Sequence, residues 1–518
     1  MVTAMGVVPF PRDGLTAARQ RLAGRVLARI GRDGLVQAPC RSRALESALA
    51  LPLLRRYAPH PAAAARLTGH LRHRAAARPE PRLDALVAAA ALRPKGSGRT
   101  LGAVMDNFVH FTGARKRLLL RAVDTALAGP GATPGSASPA DLGGTTADLP
   151  PWSAAVVTAC LVIETGRADT ARRRLLLAAQ RGPGIWEGHV LCHLLTLHAL
   201  ARLGGHEDVV TAGVARLLAH QRADGGFPFI CGEEVFVSAL AASALAGSAD
   251  EAARRAAHRV CGRLARLQGA DGGWAYAPRV EQTDVDTTCV VLEALRATDP
   301  ARHHGAVRAG ERYLLAMRGA DGGFPTYRAG APSEVVMTAA AAGTLDPAAP
   351  GAPEVLARAL TFITGRQNPA GTYEEGWSRS DANALFRTQW ALRRANLVPD
   401  PAVRRAAREA TGRALGYLAV SRNADGGWGQ RPGEPSDPVS TAFSLGTEAV
   451  AGAASEPSLR RGLRYLFSRQ AGDGSFPSRP DSTGPRGLVF DVPALADVYV
   501  LRALTCLQNL GGTGYGER

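Results

Sequence analysis

Asp284 and Asp286 stand two residues apart in EQTDVDTTCVVLEAL (281–295), followed by Thr287, Thr288 and an apolar run carrying one charge. Two carboxyls this close repel each other once both ionise. A low-polarity setting raises the cost further, so one of the pair keeps its proton near neutral pH. The stretch therefore offers a carboxylic acid at the start of an apolar helix, with two hydroxyls beside it. What such an acid protonates depends on the elements that position it.

A self-similar turn recurs along the chain: HQRADGGF (220–227), LQGADGGW (267–274), MRGADGGF (317–324) and SRNADGGW (421–428). Degenerate copies read RQNPAGTYEEGW (366–377) and SRQAGDGSF (468–476), and AAQRGPGIW (178–186) is a weaker relative. The spacing of roughly 45–55 residues is that of a repeat architecture. Each copy follows an Ala/Leu/Arg-rich segment and precedes a polar loop and another apolar helical segment. Asp-Gly-Gly supplies a tight turn, because glycine accepts positive φ. Strand signals are scarce, so the expected fold class is all-α. Helix pairs repeated in this way form an open solenoid or close into an α/α barrel around a cavity. Counted from each turn, Asp271 leads to Asp284, Asp321 to Glu334, Asp425 to Asp437 and Gly371 to Asp381. Acids thus recur where inner helices begin. For Glu334 and Asp437 a favourable helix-dipole contact of ~0.3–1 kcal/mol suffices as explanation. Only the 284–288 copy doubles the carboxyl and adds two threonines.

At 518 residues the chain is too long for one ordinary core and predicts two or three domains. Its formal charge of +17 is almost wholly arginine, with lysine only at Lys95 and Lys116. The arginines are dispersed, not interleaved with aromatics, so an anionic small substrate is expected and no nucleic acid. The seven cysteines form no CxxC pair and read as buried thiols in a reducing, cytoplasmic setting. The first twenty residues lack a signal-peptide pattern. No run reaches the ~20 apolar residues of a membrane span. A Pro/Gly/Ser/Thr-rich linker is expected at 130–151. Walker, Rossmann and zinc-ligand spacings are absent, as is Asp-Asp-x-x-Asp. His189 and His193 lack a third ligand at suitable spacing and read as core or surface histidines.

The turns resemble the QW motifs of class II terpene cyclases, the squalene–hopene cyclase superfamily. TDVDTTCVVLEAL resembles that family's Asp-x-Asp-Asp-Thr acid motif at the start of an inner helix. The resemblance implies two α/α-barrel domains in the βγ arrangement. The β domain would begin at 1–45, an inserted γ domain would span 46–260, and the rest of β, with the acid motif, would span 261–518. It implies an enzyme that protonates an alkene of a prenyl diphosphate and leaves the diphosphate in place. Asp286 would be the general acid and Asp284 its partner, with Thr287 and Thr288 orienting the pair. Thr287 replaces the family's usual third aspartate. Asp-x-Asp-Thr-Thr resembles the drimane-forming bacterial members, which implies farnesyl diphosphate as substrate and drimenyl diphosphate as product. The alternatives are a labdane-type cyclase of geranylgeranyl diphosphate and a non-catalytic helical-repeat binding protein. A zinc-dependent protein prenyltransferase relative, with Cys289 close to Asp286, is more distant.

For the cavity wall the stretch EEGWSRSDANALFRTQWAL (374–392) offers Trp377, Asp381, Asn383, Phe386 and Trp390, with Asn383 and Phe386 three apart on one helix. A diphosphate needs cations, for which Arg379 and Arg387 are the candidates, ahead of Arg41 and Arg43. Mg²⁺ is expected with the diphosphate. Its ligands stay unassigned, Asp148, Glu187 and Glu46 being the acids at hand. The oligomeric state is open.

Overall fold

The computed structural model describes residues 12–57, 60–76, 82–92, 113–129, 146–349, 351–484 and 488–512. Most of the 130–151 linker lies outside the described residues. The architecture is all-helical, as expected, with only two-residue strands.

Among the described residues, helix α1 (Arg12–Ala28) comes first, then a ring of five helices. These are α2 (Ala44–Tyr57), α4 (Arg82–Leu92), α5 (Gly113–Ala128), α6 (Pro151–Thr165) and α8 (Val190–Leu203), with α8 packing back on α2. Outside them lie α3 (Pro61–Ala76), α7 (Thr170–Ala178) and α9 (Glu207–Leu218).

The second ring has six inner helices, each packed on the next: α10 (Glu234–Ala246), α12 (Val285–Thr298), α14 (Val335–Thr344), α16 (Asp381–Leu392), α18 (Pro438–Val450) and α20 (Pro493–Gly512). Helix α20 returns to α10 and closes the ring. Each inner helix except α20 pairs with the outer helix that follows it: α11 (Glu251–Ala265), α13 (His304–Met317), α15 (Ala352–Gly365), α17 (Pro401–Ser421) and α19 (Glu456–Arg469). The sixth outer place is taken by α1, against α20, α11 and α19. Helices α10 and α11 therefore belong to the second ring, although the sequence reading placed 234–260 in the inserted unit.

The repeated turns tie this ring together. Asp271 accepts the Gly273 N–H at 3.0 Å, and Gly272 turns the chain at φ +90°. The Gln268 amide donates to Gly272 O and, across to the next outer helix, to Ala306 O. Gln367 repeats this toward Ala410 O, and Gln470 toward Ala18 O on α1, so the last turn closes the ring. The Trp274 indole lies beneath its turn and donates to Leu264 O at 2.7 Å. An antiparallel bridge, Trp274 to Asp284, then delivers the chain to the start of α12, and Phe324 to Glu334 does the same for α14. Where the rings meet, β1 (Ser42–Arg43) pairs with β2 (Phe227–Pro228). A second ribbon joins β3 (Ser482–Thr483) to β4 (Val489–Phe490).

Candidate active site

The N-terminal ends of the second ring's inner helices open on a cavity of about 1250 Å³, walled from both rings. The first ring contributes Trp152, His189 and Phe229, and the second Tyr276, Tyr327, Trp377, Phe490 and Tyr499. Their rings run in an arc. Trp377 meets Tyr327 edge-on at 5.8 Å, Tyr327 meets Trp152 at 5.9 Å, and Trp152 stacks on His189 at 4.6 Å. His189 then meets Phe229 at 4.7 Å, and Phe229 meets Phe490 at 4.9 Å.

Asp284 is the N-cap of α12. One carboxylate oxygen accepts the Thr287 N–H at 2.6 Å and the other the Thr287 hydroxyl at 2.8 Å. The Thr288 hydroxyl donates to the Asp284 carbonyl and accepts the Trp274 N–H. The two threonines therefore position Asp284 and the turn above it. Of the pair they were expected to orient, they reach Asp284, while Asp286 is held by Arg387. The reason lies in helix ends: the N-cap side chain satisfies the free N–H three residues on, and that residue is Thr287. Burial raises the Asp284 carboxyl; Thr287 opposes and Asp286 adds to the rise, and the result is about 7.

Asp286 lines the cavity two residues further on, in the first turn of α12. Arg387 of α16 grips it with both guanidinium ends, one hydrogen bond measuring 2.9 Å. A bidentate guanidinium pairs the carboxylate on both oxygens, so the expected free acid is an ion pair in this state. Burial by itself would lower Arg387, but Asp286 reverses that and holds it firmly charged. Arg387 is thus placed beside the acid, not at a diphosphate-binding mouth. Arg379 pairs with Glu434, Arg41 with Asp491, and Arg43 with the buried Glu46 while covering the Phe229 ring at 4.2 Å.

Trp377, Asp381 and Asn383 line the cavity, the Trp377 indole donating to Thr326 at 3.2 Å and Asp381 accepting from Tyr417. Phe386 and Trp390 do not line it. They line a separate space, with an empty volume of about 2060 Å³, at the opposite ends of the same helices. On α16 the i, i+4 stripe of Asn383 and Arg387 faces the cavity, and Phe386, three residues on, turns toward Phe443 instead. Asp437 caps α18 through the Ser440 N–H, as its plain reading requires, whereas Glu334, at the N-cap position of α14, makes no cap bond and accepts from Thr326.

The acids offered for Mg²⁺ do not converge. Glu46 is held by Arg43, Asp148 by Arg115, and Glu187 accepts the N–H groups of Glu281 and Gln282. Among the described residues no three His, Cys, Asp or Glu side chains are grouped to hold a metal ion. His193 is a core histidine bonded to Gly213 O. His189, held down to about 3 mainly by burial, is a wall residue.

The sequence reading missed Phe229, Tyr276 and Tyr327. Their signal was present: they fall five, five and six residues after turn aspartates Asp224, Asp271 and Asp321. Alternation in the short extended stretch after each turn puts Phe229 and Tyr276 on one side, and Tyr327, one residue later, is out of that register. It also missed Glu233, at the N-cap of α10, which burial and then the neighbouring Glu234, Asp284 and Asp286 push up to about 8.

Residues 338–506 match the squalene-hopene cyclase C-terminal domain family, and 188–378 the prenyltransferase alpha-alpha toroid domain family. A drimenyl diphosphate synthase of Streptantibioticus cattleyicolor is 42% identical over 510 residues, covering 94% of this chain and 93% of that one. Another, from Streptomyces showdoensis, is 42% identical over 516 residues, covering 95% of each. In fold, the chain superposes on ent-copalyl diphosphate synthase from Streptomyces platensis with a TM-score of 0.57 at 19% identity, covering 97% of this chain and 100% of that one. No helix among the described residues is long and apolar enough to cross a membrane. With such identity sustained over nearly its whole length, the chain belongs to the family of the drimenyl diphosphate synthases, within the class II terpene cyclases.

Proposed function

We propose that this protein cyclises farnesyl diphosphate to drimenyl diphosphate by protonating an alkene and leaving the diphosphate group attached. The observation that carries the reading is the 42% identity, nearly end to end, with two drimenyl diphosphate synthases. The cavity supports it, since an acid pair opens onto an arc of six rings at the junction of two helical rings.

In this reading Asp286 is the general acid. The π electrons of the terminal alkene take its proton, a C–H bond forms, and a tertiary cation remains. Neighbouring double bonds close the two rings, and loss of a proton from carbon yields the product alkene. The carbon–oxygen bond to diphosphate never breaks. Arg387 supplies the resting place for the carboxylate that Asp286 becomes. Loading Asp286 with its next proton requires one oxygen to leave that pair. The aromatic arc faces the travelling charge, and each desolvated cation–π contact contributes up to ~2 kcal/mol. The apolar walls exclude water, which would otherwise capture the cation. Mg²⁺ accompanies the diphosphate in this proposal, and no ligand set is assigned to it. The reaction is placed in the cytoplasm, in keeping with seven free thiols.

Incubating the purified protein with farnesyl or geranylgeranyl diphosphate, then with phosphatase, and identifying the alcohols by mass spectrometry tests the reading. Drimenol from the C15 substrate is the expected result. A labdane-type alcohol from the C20 substrate alone would replace the substrate assignment, and unchanged farnesol and geranylgeraniol would reject the cyclase. Repeating the assay with EDTA reads the Mg²⁺ requirement.

A further inference from the structure

The carboxyls at the start of the inner helices are almost all engaged. Asp284 and Asp437 cap their own helices, Glu334 accepts from Thr326, and Asp381 accepts from Tyr417. Glu233, in the equivalent place on α10, caps nothing, and its carboxyl has no hydrogen-bond partner among the described residues. What surface it shows belongs to the cavity wall. The carboxyl is half-buried and faces the cavity, so water there can reach it and exchange protons with it.

Helix α10 neighbours α12 in the ring, which sets Glu233 in the field of both Asp284 and Asp286. Of these three carboxyls, Asp284 is tied to its helix end and Asp286 to Arg387. Resting on the cyclase reading above, we propose that Glu233 is the proton reservoir that recharges Asp286 between turnovers.

After each cascade Asp286 is a carboxylate and must regain a proton. In the vacated, wetted cavity the O–H bond of Glu233 breaks, a water carries the proton, and a new O–H bond forms on Asp286. Glu233 then takes a proton from bulk water. Glu233 is suited to this because burial and its acidic neighbours hold it protonated up to about pH 8. The groups facing it favour the same state. They are Glu234 on its own helix, Asp284 and Asp286 on α12, and Tyr276, Tyr327 and Tyr499, all three kept neutral foremost by burial. Arg387, which also lines the cavity, is committed to Asp286. Glu233 acts through Asp286 and so is a positioning residue for the proton, not a group that touches the reacting carbons.

Rapid-quench kinetics on Glu233→Gln test this. With enzyme in excess, the molecules whose Asp286 has already left the Arg387 pair and taken up its proton should turn over within about twofold of the wild-type rate. With substrate in excess, kcat at pH 7.5 should fall on the order of tenfold or more. The wild-type decline of kcat as pH rises through about 8 should disappear in the variant. Glu233→Asp, which keeps a carboxyl, should recover much of the turnover. Equal losses in single and multiple turnover, or no loss in either, would overturn the proposal. An independent readout needs no activity: infrared difference spectra of the resting protein should show a protonated-carboxyl band that titrates near pH 8 and vanishes in Glu233→Gln. A band unchanged in that variant would overturn it too. A wild type that cyclises nothing would defeat the cyclase reading separately, with the band still telling whether Glu233 stores a proton.

Discussion

Asp286 and Arg387 form an ion pair but differ in what each can do alone. A guanidinium cannot shed its proton, whereas a carboxyl can take one up. Asp286→Asn strands a permanent charge among buried groups. It should abolish turnover and lower the unfolding free energy by about 3 kcal/mol, the cost of breaking a buried pair from the side that cannot neutralise. Arg387→Met should cost roughly 1 kcal/mol, because the orphaned carboxyl becomes neutral and the thioether fills the space. Urea unfolding at pH 7 measures both. Equal losses would mean that the packed arginine stem, not its charge, sets the cost. The acid pair was legible in sequence because chemistry and spacing sit within three adjacent residues. Its cation was not, since Arg387 lies 101 residues away and only ring closure brings it to Asp286. Arginine 387 was flagged as a cation, but for the wrong anion.

The turns are the elements that convert local sequence into ring geometry. Gly272 adopts φ +90°, and a Cβ there would lie 2.7 Å from Ala309 O on the neighbouring outer helix. Gly272→Ala should therefore destabilise by about 2–3 kcal/mol, combining backbone strain with a contact against an immovable carbonyl. Gly262, inside α11 with open space around it, is the control. There alanine should be neutral or stabilising by up to ~1 kcal/mol through helix propensity. Melting temperatures of the two variants decide this, and similar values would deny the turns their role as staples. These elements were readable because each turn carries its own instructions: an aspartate, a glycine pair and an aromatic. The inward face of α16 was harder to read. Asn383, Phe386, Arg387 and Trp390 offer two possible stripes, and only the neighbouring helices decide which one meets the cavity. Alternation carried two residues past Trp274 would have identified Tyr276, whereas Tyr327, three residues past Phe324, falls out of that register.

At the scale of the molecule, a cavity that gathers acids at its helix starts must show in the response to pH. Asp481 is pushed up to about 6, Asp284 to about 7 and Glu233 to about 8, each foremost by burial. These values lie above those of the unfolded chain, near 4. Their contribution to stability is therefore fully present below about pH 4 and is lost stepwise as pH rises through 6, 7 and 8. The melting temperature should fall between pH 5.5 and 8.5, and Glu233→Gln should flatten the upper part of that slope. A melting temperature that rises over the same interval would contradict the burial of these groups. Helix α1, which fills the sixth outer place beside α19 and accepts the Gln470 amide at Ala18 O, has a consequence of another kind. Synthesis runs in chain order, so α1 leaves the ribosome well before α19 and α20 and waits for them before it can dock. The five-helix ring, contiguous in the chain, is complete long before then. Birth of the protein is thus ordered, with the inserted ring assembled early and the catalytic chamber sealed only as its final segments emerge.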